Sequence, residues 1–195
     1  GPSRYPGNLA AGRPAETVSP AFYHERPSAG VDWSAVLEAR LELTIRLYRP
    51  ADFETLYRID QSCYEPGIAY SRRMLRDSLR TDGARCYVAC FGAEIAGFLI
   101  AIQEGAQGHL VTIDVVDAAR RRGVGSALLA RAEEELAESG ARRVTLETAT
   151  NNAAGIAFWQ RHGYRAVGIY PRYYNDRLDA YLMTKRLRTA GGERR

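Results

Sequence analysis

The stretch that decides the fold is ARRRGVGSALLARAEEEL, residues 119–136, entered directly from the apolar run HLVTIDVV at 109–116. Three arginines and two glycines separate a strand-like segment from a helical one. Val124, Ala127, Leu128, Ala132 and Leu136 recur at the spacing of one helical face, and Gly140 ends the run, so a helix over about 123–138 is expected. The start of a helix offers unpaired N–H groups at the positive end of its dipole. Glycines let the chain turn tightly there and let an anion approach the backbone. Arg121 and Arg122 add charge-assisted hydrogen bonds. The junction therefore suits a phosphate group. Two common phosphate loops do not fit: a P-loop needs a lysine after its glycine, and a dinucleotide fingerprint needs a third glycine where Leu128 stands.

Outward from this junction the chain reads as alternating short elements. LTIRLY alternates like a strand from Leu43, and RPADFETLYRIDQSC places Phe53, Leu56 and Ile59 on one helical face. YEPGIAY is a loop, and Ser71 is the expected N-cap of RRMLRDSLR. CYVACFG and EIAGFLIAIQ are strands joined tightly at Gly92-Ala93, with a turn GAQG before the strand at 109. RRVTLETAT is a strand, NAAGIAFWQRH a helix closed by Gly163, and YRAVGIY and LDAYLMTKRL the last strands. The order β-α-α-β-β-β-α-β-α-β-β predicts an α/β (α+β) domain: a mixed sheet with helices on both faces. Residues 1–42 form a Pro/Gly/Ala-rich extension expected to be flexible, with a short helix at 31–41 docking Trp33, Val36 and Leu37. The domain proper is expected over 43–187, with a polar tail at 188–195.

Composition narrows the function. The 195 residues are 46% apolar with a net charge of +4, and Lys185 is the only lysine. The charge is too diffuse to argue for nucleic acid. No window approaches a membrane span and the start lacks a secretory pattern, so a cytoplasmic location with no membrane partner is expected. Cys63, Cys86 and Cys90 show no metal-ligand spacing, and Cys86 and Cys90 read as buried free thiols. No metal is expected.

The pattern Arg120-x-x-Gly123-x-Gly125 after a strand, together with TNNAAGIAFWQRHGY, resembles the two signatures of the GNAT superfamily of N-acetyltransferases. The resemblance runs from about 43 to 187. It implies a GNAT fold, a mostly antiparallel sheet of six to seven strands whose fourth and fifth strands splay apart, and acetyl-CoA as cosubstrate. By position it implies that Val115 holds the pantetheine arm through its backbone. Arg121, Arg122, Gly123, Val124, Gly125 and Ser126 would surround the pyrophosphate, and Asn152 would contact the cofactor. Asn152 also stands where a helix N-cap belongs.

Direct acetyl transfer needs a route for the ammonium proton and a donor for the oxyanion. LETATNNAAGIAFW resembles the matching stretch of bacterial N-terminal alanine acetyltransferases that modify a ribosomal protein, and this makes Glu147 the implied general base. On its strand Thr145, Glu147 and Ala149 share one face, and a strand-interior Glu is disfavoured without a reason. A solvated or ion-paired Glu147 is the alternative. Those enzymes carry a general-acid tyrosine where this chain has Trp159, which cannot supply a proton at neutral pH. The stretch YPRYYNDRLDAYLM resembles the hairpin of protein Nα-acetyltransferases. This assigns Tyr173 and Tyr174 to the substrate, Tyr174 with a catalytic part, alongside Tyr64 and Tyr70 from the loop CYEPGIAYS. His24, His109 and His162 are given no role. The acceptor implied is the N-terminal α-amine of a protein or peptide. A small amine such as an antibiotic or polyamine, and a non-catalytic CoA-binding domain, stay open, as do monomer and homodimer.

Overall fold

The computed structural model describes residues 31–38, 42–64 and 68–188. The extension before residue 31, the end of the helix expected at 31–41 and the tail beyond 188 lie outside the described residues. The side chain of Leu37 does too.

The elements run α1 (Trp33–Glu38), β1 (Leu43–Leu47), α2 (Phe53–Cys63), α3 (Arg72–Arg80), β2 (Ala84–Phe91), β3 (Glu94–Glu104), β4 (Gln107–Val115), α4 (Val124–Glu138), β5 (Arg143–Ala149), α5 (Ala153–Arg161), β6 (Arg165–Tyr174) and β7 (Leu178–Arg186). One seven-stranded sheet has the order β1-β2-β3-β4-β5-β7-β6. Every neighbouring pair is antiparallel except β4 and β5. This is the GNAT fold. The parallel pairing covers only Gln107↔Arg143, Gly108↔Val144 and His109↔Thr145, and beyond it the two strands part.

Local chemistry accounts for the ends of the elements. Ser71 caps α3, its hydroxyl accepting from the Met74 N–H at 3.2 Å. α4 and α5 stop at Gly140 (φ +92°) and Gly163 (φ +87°), left-handed positions that glycine takes without strain. Gly92-Ala93 makes the two-residue turn between β2 and β3. The turn before β4 is shorter than the expected GAQG: Glu104 already pairs with Gln107, so β4 starts two residues before His109. β6 runs on past Tyr170 to Tyr174, with breaks in register between those residues. The β6–β7 turn carries positive φ at Asn175 and Asp176, the side chains that best tolerate it, and the Arg177 N–H donates to the Tyr174 carbonyl at 3.1 Å.

The core is formed by Leu56 and Leu75 of α2 and α3, Val88, Phe98, Leu99 and Ile100 of the sheet, and Leu128 and Leu129 of α4. Trp33 of α1 and Trp159 of α5 are buried in it as well. Burying one such side chain contributes about 1.5–3 kcal/mol. Cys86 and Cys90 are free and buried. Lys185 joins β7 to α4, its Nζ donating to Glu133 at 2.5 Å and lying over the Tyr164 ring. No helix among the described residues is long and apolar enough to cross a membrane.

Candidate active site

The glycine junction is open where an anion would need it to be. Gly123 is the N-cap of α4 at φ +84°, and a Cβ there would project into open space. Arg121 (φ +60°) and Arg122 are exposed beside it. Gly125 faces the other way, and a Cβ there would meet the Phe158 ring at 3.3 Å, so glycine lets α4 and α5 approach. Ser126 strengthens that contact through its hydroxyl, 3.0 Å from His162 Nε2. The first N–H groups of α4, which follow Gly123 directly, have no partners within the helix. With the gap left where β4 and β5 part, these features fit a phosphorylated ligand with an extended arm. Asn152 caps α5, its Oδ1 accepting from the Gly155 N–H at 2.9 Å.

Arg120 is held by the protein itself. Its Nε donates to the Val115 carbonyl at 3.1 Å, and a second nitrogen lies 3.6 Å from the Cys63 sulfur. The Cys63 thiol also donates to the Val115 carbonyl, so that half of the Val115 peptide is engaged within the chain.

β4 carries a bulge that decides which side chains meet. Ala101 pairs with Leu110 but Ile100 pairs with Thr112, so Val111 is the extra residue and the alternation reverses after it. Gly108 lies against Leu136 of α4, and Ile113 lies on that same face near Gly125. His109, Thr112 and Asp114 consequently share the opposite face, under α2 and the loop after it. Glu147 of β5 joins His109 there.

Glu147 is 8% exposed and its Oε2 lies 3.4 Å from His109 Nε2. Burial pushes His109 down to about 4, so its imidazole is neutral at pH 7 and the contact is polar rather than an ion pair. Burial raises Glu147 to about 7, against a weaker opposing hydrogen bond from Tyr173. The Tyr173 hydroxyl donates to Glu147 Oε2 at 3.4 Å, whereas the Tyr174 hydroxyl donates to the Glu147 backbone carbonyl at 3.4 Å. Of the two hairpin tyrosines, Tyr173 is the one on the carboxylate. A half-ionised carboxylate at neutral pH is suited to accept a proton and pass it on.

Next to this group lies a second, built around a buried carboxylate. Tyr64, at the end of α2, is 3.2 Å from Thr112, whose hydroxyl points at both oxygens of Asp114 at 3.1 Å. Asp114 is 1% exposed, and burial together with the charge of Asp60 raises it to about 8. Tyr70 links the two groups: its hydroxyl donates to the Val111 carbonyl at 3.4 Å, and burial, then Asp114, Tyr174 and Tyr173, push its phenol well up.

Trp159 lies outside this constellation. It is 6% exposed and packs edge-on to Phe158 and Tyr164. Among the described residues no cluster of three His, Cys, Asp or Glu is arranged to hold a metal ion. Sequence reasoning missed His109, Asp60 and Asp114. The signal for Asp114 was present, since it is a carboxylate inside an apolar strand, the same feature that singled out Glu147.

Comparison with known proteins agrees with this architecture. The profile of the Acetyltransferase (GNAT) family matches residues 53–164. An N-alpha-acetyltransferase of Sulfolobus acidocaldarius is 27% identical over 157 residues, covering 74% of this chain and 92% of that protein. The crystal structure of the ribosomal-protein-S18-alanine N-acetyltransferase from Escherichia coli superposes with a TM-score of 0.69 at 25% identity, over 79% of this chain and 99% of that one. Ard1 from Thermoplasma volcanium gives 0.68 at 28% identity, over 74% and 97%. The chain belongs to the GNAT acetyltransferase family, and it is an N-acetyltransferase.

Proposed function

We propose that the protein acetylates the N-terminal α-amine of a protein or peptide, with acetyl-CoA as the donor. The observation that carries this reading is the Glu147 carboxylate, buried to a pKa of about 7 beside Tyr173 on the face where β4 and β5 part. The activities of the Sulfolobus and Escherichia relatives support the acceptor class.

Acetyl-CoA supplies an activated thioester. Arg121, Arg122 and the backbone of Gly123, Val124, Gly125 and Ser126 would hold its phosphates. Val115 would align the arm, and Asn152 would offer its amide NH2 while its oxygen caps α5. Glu147 takes the proton that the acceptor's ammonium must lose before the neutral amine attacks, and the Tyr173 hydroxyl steadies the carboxylate as its charge changes. Tyr64, Tyr70 and Tyr174 form the walls around the incoming chain end. Trp159 supplies no proton, and a thiolate leaving group with a pKa near about 8.5 tolerates that.

Acetylation of a polyamine is disfavoured by burial. Asp60 and Asp114 are 0% and 1% exposed and cannot pair with a soluble polycation. The test is incubation with acetyl-CoA and a panel of free-N-terminus peptides, N-blocked lysine peptides, polyamines and aminoglycosides, with mass spectrometry locating the acetyl group. Modification of α-amines alone is expected. Modification of side-chain or small amines alone would overturn the reading.

A further inference from the structure

The last turns of α2 carry a group that acetyl transfer does not use. Asp60 is 0% exposed, yet its Oδ2 accepts from the Tyr70 N–H and from Gln61 Nε2, both at 2.9 Å. The same Gln61 nitrogen donates to the Tyr70 carbonyl at 2.9 Å. Two neighbouring side chains thus hold both polar groups of one residue across a loop. Asp60 Oδ1 is buried without a partner among the described residues. A carboxylate left half-satisfied in a core costs stability, and an apolar residue at that helical position would not. The loop is tied again from the sheet side, by Tyr64 on Thr112 and by Tyr70 on the bulge carbonyl of Val111.

We propose that Asp60 is a positioning residue that, with Gln61, clamps the Tyr70 backbone and so fixes the loop whose tyrosines shape the acceptor site. The inference rests on the reading of Tyr64 and Tyr70 as acceptor-facing. The groups facing Asp60 are Gln61 of α2, Tyr70 of the loop and Asp114 of β4, with Arg120 opposing the charge of Asp114. An ionised carboxylate accepts the Tyr70 N–H more strongly than a protonated one. Burial outweighs that gain and raises Asp60 to about 6, so the closed loop holds best with the carboxyl protonated and loosens as pH rises through that value.

The test combines hydrogen exchange at the Tyr70 amide with kinetics on an acceptor peptide found in the panel. For Asp60→Ala, exchange at Tyr70 accelerates about tenfold or more. Acceptor KM rises about fivefold or more while kcat stays within about twofold. Asp60→Asn keeps an acceptor oxygen and cannot ionise, so it is intermediate, and its KM is flat over the range where the wild-type KM climbs as pH rises through about 6. Unchanged Tyr70 exchange in Asp60→Ala overturns the clamp, and so does a fall in kcat at constant KM. If Asp60→Ala does not fold, Gln61→Ala, at an exposed position, carries the same exchange measurement. Exchange needs no acceptor, so failure of the clamp and failure of the acceptor reading are seen separately.

Discussion

Replacing Glu147 with glutamine perturbs activity and stability in ways that can be worked out separately. The carboxyl is raised from 4.5 to about 7 in the folded chain by burial. A group whose folded pKa lies above its unfolded one adds stability that is fully present below the unfolded value and is lost as pH rises through the folded one. At about 1.4 kcal/mol per pKa unit, the wild type loses on the order of 3 kcal/mol between pH 4 and pH 8 through Glu147. Glutamine does not titrate, so Glu147→Gln escapes that loss. Asp60 and Asp114 titrate in both proteins and cancel in the difference. The melting temperature of Glu147→Gln relative to wild type should therefore climb across that range by roughly 6–12 °C for a domain of this size. The kinetic arm is independent: wild-type kcat/KM on a peptide acceptor rises with pH through about 7. The variant loses that limb and about 10²–10⁴-fold in rate. A melting-temperature difference that stays flat with pH would show that Glu147 is not buried as an acid. Retention of the limb in Glu147→Gln would show that another group takes the proton.

Three further outcomes follow from the same geometry. Tyr173→Phe removes the hydrogen bond that opposes the rise of Glu147, so the activity limb moves to higher pH, while Tyr174→Phe, which reaches only the backbone carbonyl, leaves its position unchanged in a pH–rate profile. Gly123→Ala forces a side chain into φ +84° and should cost about 1–2 kcal/mol of folding stability, read in denaturant melts, with no steric clash to blame. Trp159→Tyr introduces the tyrosine that the resemblance of LETATNNAAGIAFW implies for this position, yet it opens space between Phe158 and Tyr164, so a loss of about 1–3 kcal/mol in denaturant melts is expected with no gain in kcat.

What could be read from the sequence divides at the bulge. The glycine junction, the helix behind it and the faces of β5 follow from local rules, since periodicity and glycine placement need only near neighbours. Strict alternation on β4 would put His109 with Val111 and Ile113, and Asp114 with Leu110. The extra residue at Val111 instead brings His109, Thr112 and Asp114 together, and nothing in HLVTIDVV announces it. Asp60 escaped for a different reason: it stands with Phe53 and Leu56 on the inward face of α2, and nothing within the helix announces the Tyr70 N–H that folds back onto its carboxylate. The β6 strand was recognisable but its length was not, because Arg172 at φ +52° breaks the register that alternation assumes.

Lys185 has a practical consequence for anyone assaying this chain. It is the only internal ε-amine, and Glu133 holds its ammonium against α4. Thioesters acylate accessible lysines spontaneously, and in most proteins that self-labelling blurs into a distribution of products. Here any such background on the chain's lysines collapses to one peptide carrying one tethered amine. The protein's own mass spectrum therefore serves as an internal blank for the acceptor panel.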